Sequence, residues 1–340
     1  MRYAFILNPA ARSGRAARLR GALAEGCRAH GLDARFAETR APGDARALAH
    51  VLARDADVVV AVGGDGTVGE VVEGLLAPGA RGTARGTARR AALGVVPAGT
   101  GNDFAAHFGF PQRLAGALDV LRAAQRRPLD VLRLRGTSGG AGGGQAWERV
   151  VVNGLGLGFD AAAAAGAGRF KRLGGHLAYL ASVLSLLRTW APPPLRVALT
   201  AEPGGPPCPL WLGPTFLLEL GNGSSVGGGF RLTPDADPAD GRLDVCLVRE
   251  VPVWRVLRLL PRVFSGGHVG APEVTMARGA CVTVEALGAP VPAHLDGEDL
   301  PGGLRRLEAS VLPAALALVA PPSRAPARSG RAKSQKETSL

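Results

Sequence analysis

The chain has 340 residues, 20% of them charged, and a formal net charge of +12. This length is sufficient for two domains that each bury a hydrophobic core. The basic residues are almost all arginines without interleaved aromatic side chains. This pattern argues against nucleic acid as a partner and leaves an anionic bilayer surface, or a GC-rich genome, as the source of the charge.

The four cysteines are far apart in the sequence and form no CxxC pair: Cys27, Cys208, Cys246 and Cys281. They are typical of buried small side chains in a reducing compartment. The six histidines are scattered as well, which argues against a zinc site. We find neither a signal-peptide pattern nor an apolar stretch of the ~18 residues that a membrane span requires. The protein is therefore expected to be cytoplasmic.

Residues 1–128 alternate between apolar strands and amphipathic helices. Four strands are predicted, at residues 2–9, 33–40, 56–67 and 92–103. Helices are predicted at residues 11–31, 43–55 and 68–76, and a Gly/Arg/Thr loop at residues 78–90. This alternation indicates an α/β domain with a parallel sheet that carries helices on both faces. In such sheets, ligands bind at the carboxyl ends of the strands.

From Leu129 onward the pattern changes to strands with few helices between them, residues 161–190 being the helical exception. The predicted strands are residues 129–136, 145–160, 195–202, 214–223, 243–251, 281–288, 291–298 and 304–312. They favour a mainly antiparallel β domain over residues 129–320, packed as a β-sandwich or a barrel. Residues 136–144 are predicted to form a flexible hairpin loop, and residues 321–340 a disordered basic tail.

Three glycines and one aspartate follow the third predicted strand in the segment Gly63-Gly64-Asp65-Gly66. Glycine lets backbone N–H groups approach a ligand closely, and a helix N-terminus favours anions. Because a carboxylate at the same place repels a bare phosphate, the combination indicates a nucleotide bound together with a metal ion. Glycines that serve only a tight turn are the simpler alternative, but that alternative leaves Asp65 unexplained. The overlapping GxGxxG pattern lacks the acidic residue about 20 positions later that a dinucleotide site needs.

The fourth predicted strand ends in a similar way, with Gly99, Thr100, Gly101, Asn102 and Asp103. Asp103 by itself could be only the N-cap of a following helix. Two glycine-rich turns that carry carboxylates, at neighbouring strand ends of one sheet, weaken that interpretation. We therefore expect the two turns to form one site.

With the segment LNPAARSG at residues 7–14, these motifs resemble those of the diacylglycerol kinase catalytic-domain family, which includes bacterial lipid kinases and sphingosine kinases. Later segments agree: VVNGLGLGFDA at 151–161, GNGSSVGGGFRLTPDADPADGRLDV at 221–245 and HLDGEDL at 294–300. The resemblance implies an NAD kinase/diacylglycerol kinase-like α/β domain followed by a β-sandwich. GGDGT alone is shared with NAD kinases, but such a protein should lack GTGNDF and the C-terminal DGE. Relatives mostly have asparagine where Gly69 stands.

The resemblance also implies roles for individual residues. The residues that would bind ATP are Asn8, Thr39, Gly63, Gly64, Asp65, Gly66, Thr67, Val68, Gly69 and Thr100. Asp65 and Asp103 would hold the catalytic Mg²⁺ network, and Glu298 would be the general base. A second, structural Mg²⁺ would be bound by the Asp240 carboxylate and by the carbonyls of Asp237 and Arg242. An Asp-Gly turn between strands is the alternative interpretation of that loop.

The activity that the resemblance implies is transfer of the ATP γ-phosphate to the hydroxyl of a membrane lipid. Diacylglycerol is the first choice, and a sphingoid base, phosphatidylglycerol or a polyprenol remain open. The helical segment at residues 174–190 could supply an apolar groove, although ordinary core packing explains it equally well. The expected partners are ATP, the lipid and an anionic bilayer, and a homodimer is a further option. A catalytically silent lipid-binding regulator is the alternative from another class.

Overall fold

The structure, a computed structural model, describes residues 1–12, 14–78, 90–139, 144–167, 169 and 175–322. Most of the predicted loop at 78–90, the tip of the predicted hairpin loop at 136–144 and nearly all of the predicted tail at 321–340 lie outside these ranges. No helix in the described part of the chain combines the length and the hydropathy that crossing a bilayer requires.

The first part of the chain forms the predicted α/β domain. Its parallel strands lie in the order β2-β1-β3-β4. The strands are β1 (Arg2–Leu7), β2 (Asp33–Glu38), β3 (Val58–Gly63) and β4 (Ala92–Pro97). The helices are α1 (Leu19–Ala29) after a 3₁₀ turn at Arg15–Arg18, α2 (Asp44–Leu52), α3 (Asp65–Leu76), α4 (Asp103–His107) and α5 (Leu114–Ala123). Of these helices, α5 was not among the predicted ones.

The apolar residues of β3 are buried on both faces of the sheet, because successive side chains of a strand point to opposite sides. Val59 and Ala61 pack with α2 and α3, whereas Val58, Val60 and Val62 pack with α1 and α5. This arrangement explains why the strand is continuously apolar rather than alternating. Because the four strands are parallel, the turns from strand to helix all lie at one edge of the sheet, where one ligand can contact several of them.

The second part of the chain forms the predicted antiparallel β-sandwich. Its strands are β5 (Arg126–Ser138), β6 (Ala146–Val151), β7 (Gly154–Gly158), β8 (Pro194–Thr200), β9 (Cys208–Gly221), β10 (Leu243–Arg249), β11 (Val274–Gly279), β12 (Cys281–Ala286), β13 (Ala293–Leu295), β14 (Glu298–Asp299) and β15 (Leu304–Val319). Its helices are α6 (Phe159–Ala167), α7 (Gly175–Leu186) and α8 (Val253–Val263). The first half of β9 pairs with β8 and the second half with β7 and β10, so β9 belongs to both sheets. The apolar faces of the two sheets meet in one core.

Three sequence-based expectations are wrong in this domain. The single strand predicted at 145–160 is two strands, because the Asp296 carboxylate accepts the backbone N–H groups of Val152, Asn153 and Gly154 where the strand would continue. Residues 161–190 were expected to be the helical exception, but α8 is a further helix, with Pro261 in its last turn. Cys208 is exposed at the outer end of β9, while Cys27 and Cys246 are buried as expected.

The long strand β15 connects the two parts of the molecule. Its first half pairs with β12 and β5, and its second half meets β4 in parallel through Leu318 and Leu93. Leu316 and Leu318 pack in the core of the α/β domain. The division into residues 1–128 and 129–320 stays a prediction; β15 pairs with strands of both parts.

Candidate active site

A cavity of about 440 Å³ lies at the carboxyl ends of β1 to β4. Six residues that the family resemblance assigns to ATP binding line it: Asn8, Thr39, Gly64, Gly66, Thr67 and Thr100. The Asn8 amide donates to the Thr67 hydroxyl at 3.1 Å, which joins the end of β1 to the first turn of α3. Glu298 of the second domain also lines this cavity. The structure therefore brings most of the expected nucleotide residues together with the expected base.

Four residues of the expected ATP set are not on the cavity wall: Asp65, which is described below, and Gly63, Val68 and Gly69. Gly63 ends β3, and a Cβ there would lie 2.3 Å from the Thr67 hydroxyl, so its role is to leave space for that side chain. Val68 is only 2% exposed and packs in the domain core. Gly69 faces Asp296, whose carboxylate would lie 3.5 Å from an added Cβ. A nucleotide role stays a prediction for these residues, as it does for the other members of the set.

The two glycine turns contact each other directly. A Cβ on Gly99 would lie 2.3 Å from the Gly64 Cα, so the backbones approach more closely than side chains allow. Asn102 closes the second turn with φ of 57°, accepting from the Gly99 N–H and donating to the Gly99 carbonyl. The prediction that the turns share one site is consistent with this contact. Part of the glycine content thus serves turn-to-turn packing rather than ligand approach.

Asp65 is the first residue of α3, and its carboxylate caps the neighbouring helix α4. It accepts the backbone N–H groups of Asp103 at 3.1 Å and Phe104 at 2.9 Å. The side-chain amide of Asn153, from the second domain, donates to it at 3.3 Å. Because each carboxylate oxygen has two lone pairs, these bonds leave capacity for a metal ion. Asp65 nevertheless has a positioning task that its place in the motif did not reveal.

Asp103 lies at the start of α4 and is 7% exposed. Its carboxylate accepts the N–H of Gly228 at 2.7 Å, from the GGGF segment of the second domain. Burial raises the pKa of Asp103, and the negative charge of Asp65 raises it further. Both carboxylates lie beside Gly101, within 3.5 Å of where its Cβ would be. Two mutually repelling oxygen donors are a set that fits Mg²⁺.

Glu298 reaches the same place from the other domain. It follows the β13–β14 turn, in which Asp296 and Gly297 have φ of 47° and 84°. Its Oε1 would lie 3.2 Å from a Cβ on Gly66, so a side chain at Gly66 would crowd the carboxylate. Arg149 Nη2 lies 3.6 Å from its Oε2, and the Glu298 side chain is 54% exposed.

The environment of Glu298 raises the pKa of its carboxyl group. Burial is the largest cause, the charges of Glu70 and Glu73 add to it, and Arg149 opposes it. Arg149 also pairs with Glu73 of α3, so one guanidinium links β6, α3 and the hairpin. A carboxylate with a raised pKa, at the edge of a cavity, is the property expected of a general base.

Two residues of the site were quoted within motifs but received no role from the sequence. Asp296 is partly buried and holds the β6–β7 turn through three backbone N–H groups, between 2.8 and 2.9 Å. Asn153 lies in that turn and donates to Asp65. Both residues belong to segments that the family resemblance pointed to, DGE and VVNG, but the sequence gave no indication that these two segments contact each other.

The loop that the resemblance assigns to a structural Mg²⁺ is bound by an arginine side chain of β11, that of Arg278. Arg278 donates to the Asp240 carboxylate at 2.9 Å and to the Asp235 carbonyl at 3.1 Å, and it also pairs with Asp244. The Asp237 carbonyl accepts the Asp240 N–H at 3.3 Å, while the Arg242 N–H donates to the Asp240 carboxylate. Arg278 therefore competes with a metal for this carboxylate. The metal role of Asp237, Asp240 and Arg242 stays a prediction.

A second cavity, of about 190 Å³, lies on the other side of the hairpin. Its wall is mostly apolar and comes from β9, β10, α6, α7 and α8, for example Phe159, Phe216, Val248, Val256 and Leu260. Gly297, the neighbour of Glu298, and Gly227, the neighbour of Gly228, also line it. The cavity thus ends next to the carboxylates of the first cavity.

Asp160 and His294 line this cavity and form a buried trio with Glu219, in which the possible ligand atoms lie within 4.8 Å of one another. His294 pairs with Asp160 at 3.0 Å. Complete burial raises the pKa of Glu219 to about 8. The hydrogen bond and charge of Asp160 outweigh burial at His294 and raise its pKa to about 9. A protonated Glu219 beside an Asp160–His294 ion pair makes the trio electrically neutral.

Comparison with known proteins agrees with both domains. The model of the diacylglycerol kinase catalytic domain matches residues 2–134, and that of the YegS C-terminal NAD kinase beta sandwich-like domain matches residues 153–320. A protein of Mycobacterium tuberculosis named diacylglycerol kinase is 31% identical over 82% of this chain and 83% of its own length. A Xanthomonas campestris protein named "Probable lipid kinase YegS-like" is 35% identical over 75% and 77%, respectively.

Among solved structures, a diacylglycerol kinase from Bacillus anthracis superposes with a TM-score of 0.70 at 22% identity, covering 94% of this chain and 97% of that one. This likeness supports the two-domain fold. The two family models extend over the glycine turns, the carboxylates and the sandwich described above. The chain belongs to the diacylglycerol kinase catalytic-domain family of lipid kinases.

Proposed function

We propose that this protein transfers the γ-phosphate of ATP to the free hydroxyl of diacylglycerol and forms phosphatidate. One observation carries the proposal: Glu298 lines the polar cavity at the glycine turns, while its neighbour Gly297 lines the apolar cavity. The hairpin tip therefore separates a space suited to a nucleotide from a space suited to acyl chains. An acceptor hydroxyl at this tip has a base on one side and a phosphate site on the other.

In the proposed reaction, the acceptor oxygen attacks the γ-phosphorus and its proton passes to a Glu298 oxygen. The bond between the γ-phosphorus and the β–γ bridging oxygen breaks, and ADP leaves. Phosphoryl transfer depends mainly on positioning and charge neutralisation, which the glycine turns and the N-terminus of α3 support. The raised pKa of Glu298 favours proton acceptance, and Arg149 orients the carboxylate. Asp65 and Asp103 would hold a Mg²⁺ that neutralises phosphate charge when bound.

The proposal extends to the surroundings of the enzyme. An acceptor with acyl chains resides in a bilayer, so we propose a cytoplasmic protein that associates peripherally with an anionic membrane. The described residues that bear on this proposal are apolar side chains around the second cavity and arginines on the neighbouring helix α8. A homodimer stays a prediction without a supporting contact.

The test is a phosphate-transfer assay with ATP, Mg²⁺ and a panel of lipid alcohols in mixed micelles. The panel contains diacylglycerol, a sphingoid base, phosphatidylglycerol and a polyprenol, with Glu298→Gln as the matched inactive control. We expect phosphatidate from diacylglycerol at the highest kcat/KM. Preference for another lipid of the panel would support the lipid kinase activity and contradict diacylglycerol as the substrate. Absence of transfer to every lipid would overturn the proposal in favour of a silent lipid-binding protein.

A further inference from the structure

Helix α8 exposes an unusual concentration of apolar side chains. Five of the ten large apolar side chains that are exposed in the described part of the chain lie between residues 253 and 269. On the helix, Val253, Trp254 and Leu257 are 42%, 59% and 45% exposed. Phe264 and Val269, just beyond its end, are 51% and 42% exposed. Exposed patches of this kind usually mark an interaction surface.

The same helix carries two further stripes. The inner stripe consists of Val256, Leu259, Leu260 and Val263, which line the apolar cavity. The basic stripe consists of Arg255, Arg258 and Arg262, spaced three and four residues apart and hence on one side of the helix. The three arginines border a separate polar depression of about 380 Å³ with residues 267 and 269–273. Among the described residues, Arg255 pairs with Glu273, whereas Arg258 and Arg262 have no ion-pair partner.

This combination is that of a helix at a membrane surface. Helices that lie in the bilayer interface present Trp and Leu beside Lys or Arg, and tryptophan favours the headgroup level. Arginines without acidic partners complement the phosphates of anionic lipids. A protein partner or a second copy of the chain would need acidic groups opposite the basic stripe. On the patch itself, the acidic residues are Glu250 and Glu273, and Glu273 is already paired.

We propose that α8 is the element by which this protein docks on an anionic bilayer, with Trp254 and Leu257 in the interface and Arg258 and Arg262 at the headgroup phosphates. Because the inner stripe of the same helix forms a wall of the apolar cavity, docking places that cavity next to the lipids. The inference rests on the proposed function for the identity of the acceptor lipid. It adds the docking surface and the class of lipid headgroup that binds it.

The test is flotation of the full chain with phosphatidylcholine vesicles, prepared with or without phosphatidylglycerol and without diacylglycerol. We expect binding to the anionic vesicles only, and weakening by salt. Trp254→Ser with Leu257→Ser removes apolar anchors, and separately Arg258→Glu with Arg262→Glu reverses the charges at the headgroup phosphates; each should lower vesicle affinity at least about tenfold. Val51→Ser on α2 and Arg122→Glu on α5 are matched controls at exposed positions of the other domain, and should bind normally.

Two measurements keep the inference separate from the proposed function. Trp254 emission should shift to shorter wavelength on addition of anionic vesicles, and this shift should be missing in Trp254→Phe. The α8 variants should keep the wild-type kcat on short-chain diacylglycerol in micelles and lose activity on vesicles. Wild-type vesicle affinity in both α8 variants would overturn the docking role even if the kinase is active.

Other outcomes are equally decisive. Vesicle binding through α8 without any lipid phosphorylation would retain the docking surface and overturn the proposed function. A concentration-dependent dimer that the Trp254→Ser, Leu257→Ser variant abolishes, without vesicle binding by the wild type, would overturn docking and identify α8 as an interface between copies. Equal binding to neutral and anionic vesicles would contradict the proposed contact between the arginines and anionic headgroups. Melting temperatures of all variants should match the wild type, because surface changes rarely alter stability by more than about 0.5 kcal/mol.

Discussion

Asp65 and Glu298 border the same glycine turn from opposite domains, yet their surroundings differ. Asp65 accepts two backbone N–H groups of α4 and the amide of Asn153, so its position is determined by main-chain geometry. Glu298 pairs with the flexible side chain of Arg149 and is half exposed. The comparison separates two uses of a carboxylate: one that organises the site by accepting fixed hydrogen bonds, and one that has capacity to accept a proton.

The largest effect is expected for Asp65→Asn, which should remove detectable turnover. The amide keeps one acceptor oxygen, but its NH₂ group would face a backbone N–H at the start of α4. We expect a loss of about 1–3 kcal/mol of stability as well, since buried donors would lose their partner. Steady-state kinetics and thermal melts of the same preparation measure both effects.

The matched control for Asp65 is Asp130→Asn, which alters another carboxylate that accepts two backbone N–H groups, those of Gly241 and Ala314, each at 2.7 Å. This variant should lose similar stability and keep its kcat. Normal turnover of Asp65→Asn at saturating Mg²⁺ would contradict an organising role for Asp65.

The next largest effect is expected for Glu298→Gln, with kcat lower by ~10²–10⁴-fold, as is usual when a general base is lost. The KM for ATP should change much less, because the nucleotide cavity lies mostly on the first domain. Asp299→Asn, the adjacent exposed residue of β14, is the control and should behave as the wild type. A decrease of kcat below about tenfold is too small for a base. A large rise in the ATP KM with unchanged kcat would instead assign Glu298 to phosphate binding.

A smaller effect concerns the stability of the buried trio. The pKa of Glu219 is raised to about 8 and that of His294 to about 9, so the folded protein binds more protons than the unfolded chain between pH ~4.5 and ~9. Their contribution to stability is complete at low pH and is lost as the pH rises through this window. The melting temperature should therefore fall from about pH 6 to about pH 9.

Glu219→Gln tests the cause of this pH dependence. Glutamine is neutral at every pH and resembles the protonated acid, so the variant should show a weaker decrease of melting temperature with rising pH. Glu308→Gln, an exposed acid on β15, is the control with an unchanged slope. An identical slope in Glu219→Gln and the wild type would show that the trio does not titrate as described.

The effect on activity is expected to be smallest at the loop of Asp240. Arg278→Met should lower the stability by about 1–3 kcal/mol, because it removes the exposed pair with Asp240 and leaves the buried Asp244 carboxylate without its partner. If Arg278 competes with a metal there, Mg²⁺ should raise the melting temperature of this variant more than that of the wild type. Arg196→Met, which removes an exposed ion pair with Glu285, is the control without a Mg²⁺ effect. An equal Mg²⁺ response in all three proteins would argue against competition at Asp240.

Local patterns in the amino-acid sequence were enough to predict the parallel sheet, an antiparallel β domain and the two glycine turns, and the family resemblance chose the sandwich over a barrel. Apolar runs such as Val58–Val62 and the turn glycines specify their conformation within a few residues, so they can be recognised without neighbours. The turn motifs directed attention to Asp65 and Asp103, and the family resemblance to Glu298; the roles of these carboxylates stay predictions.

Contacts between distant segments could not be predicted, and they account for the remaining features. Gly64 touches Gly99, Glu298 lies over Gly66, and Asp296 divides one predicted strand into β6 and β7. The first contact depends on the register of β3 and β4, and the other two on how distant segments meet, which no short window of sequence encodes. The exposed face of α8 is a further case. Which of its apolar side chains are buried depends on the cavity beneath the helix, so the sequence alone did not show which side of α8 stays exposed.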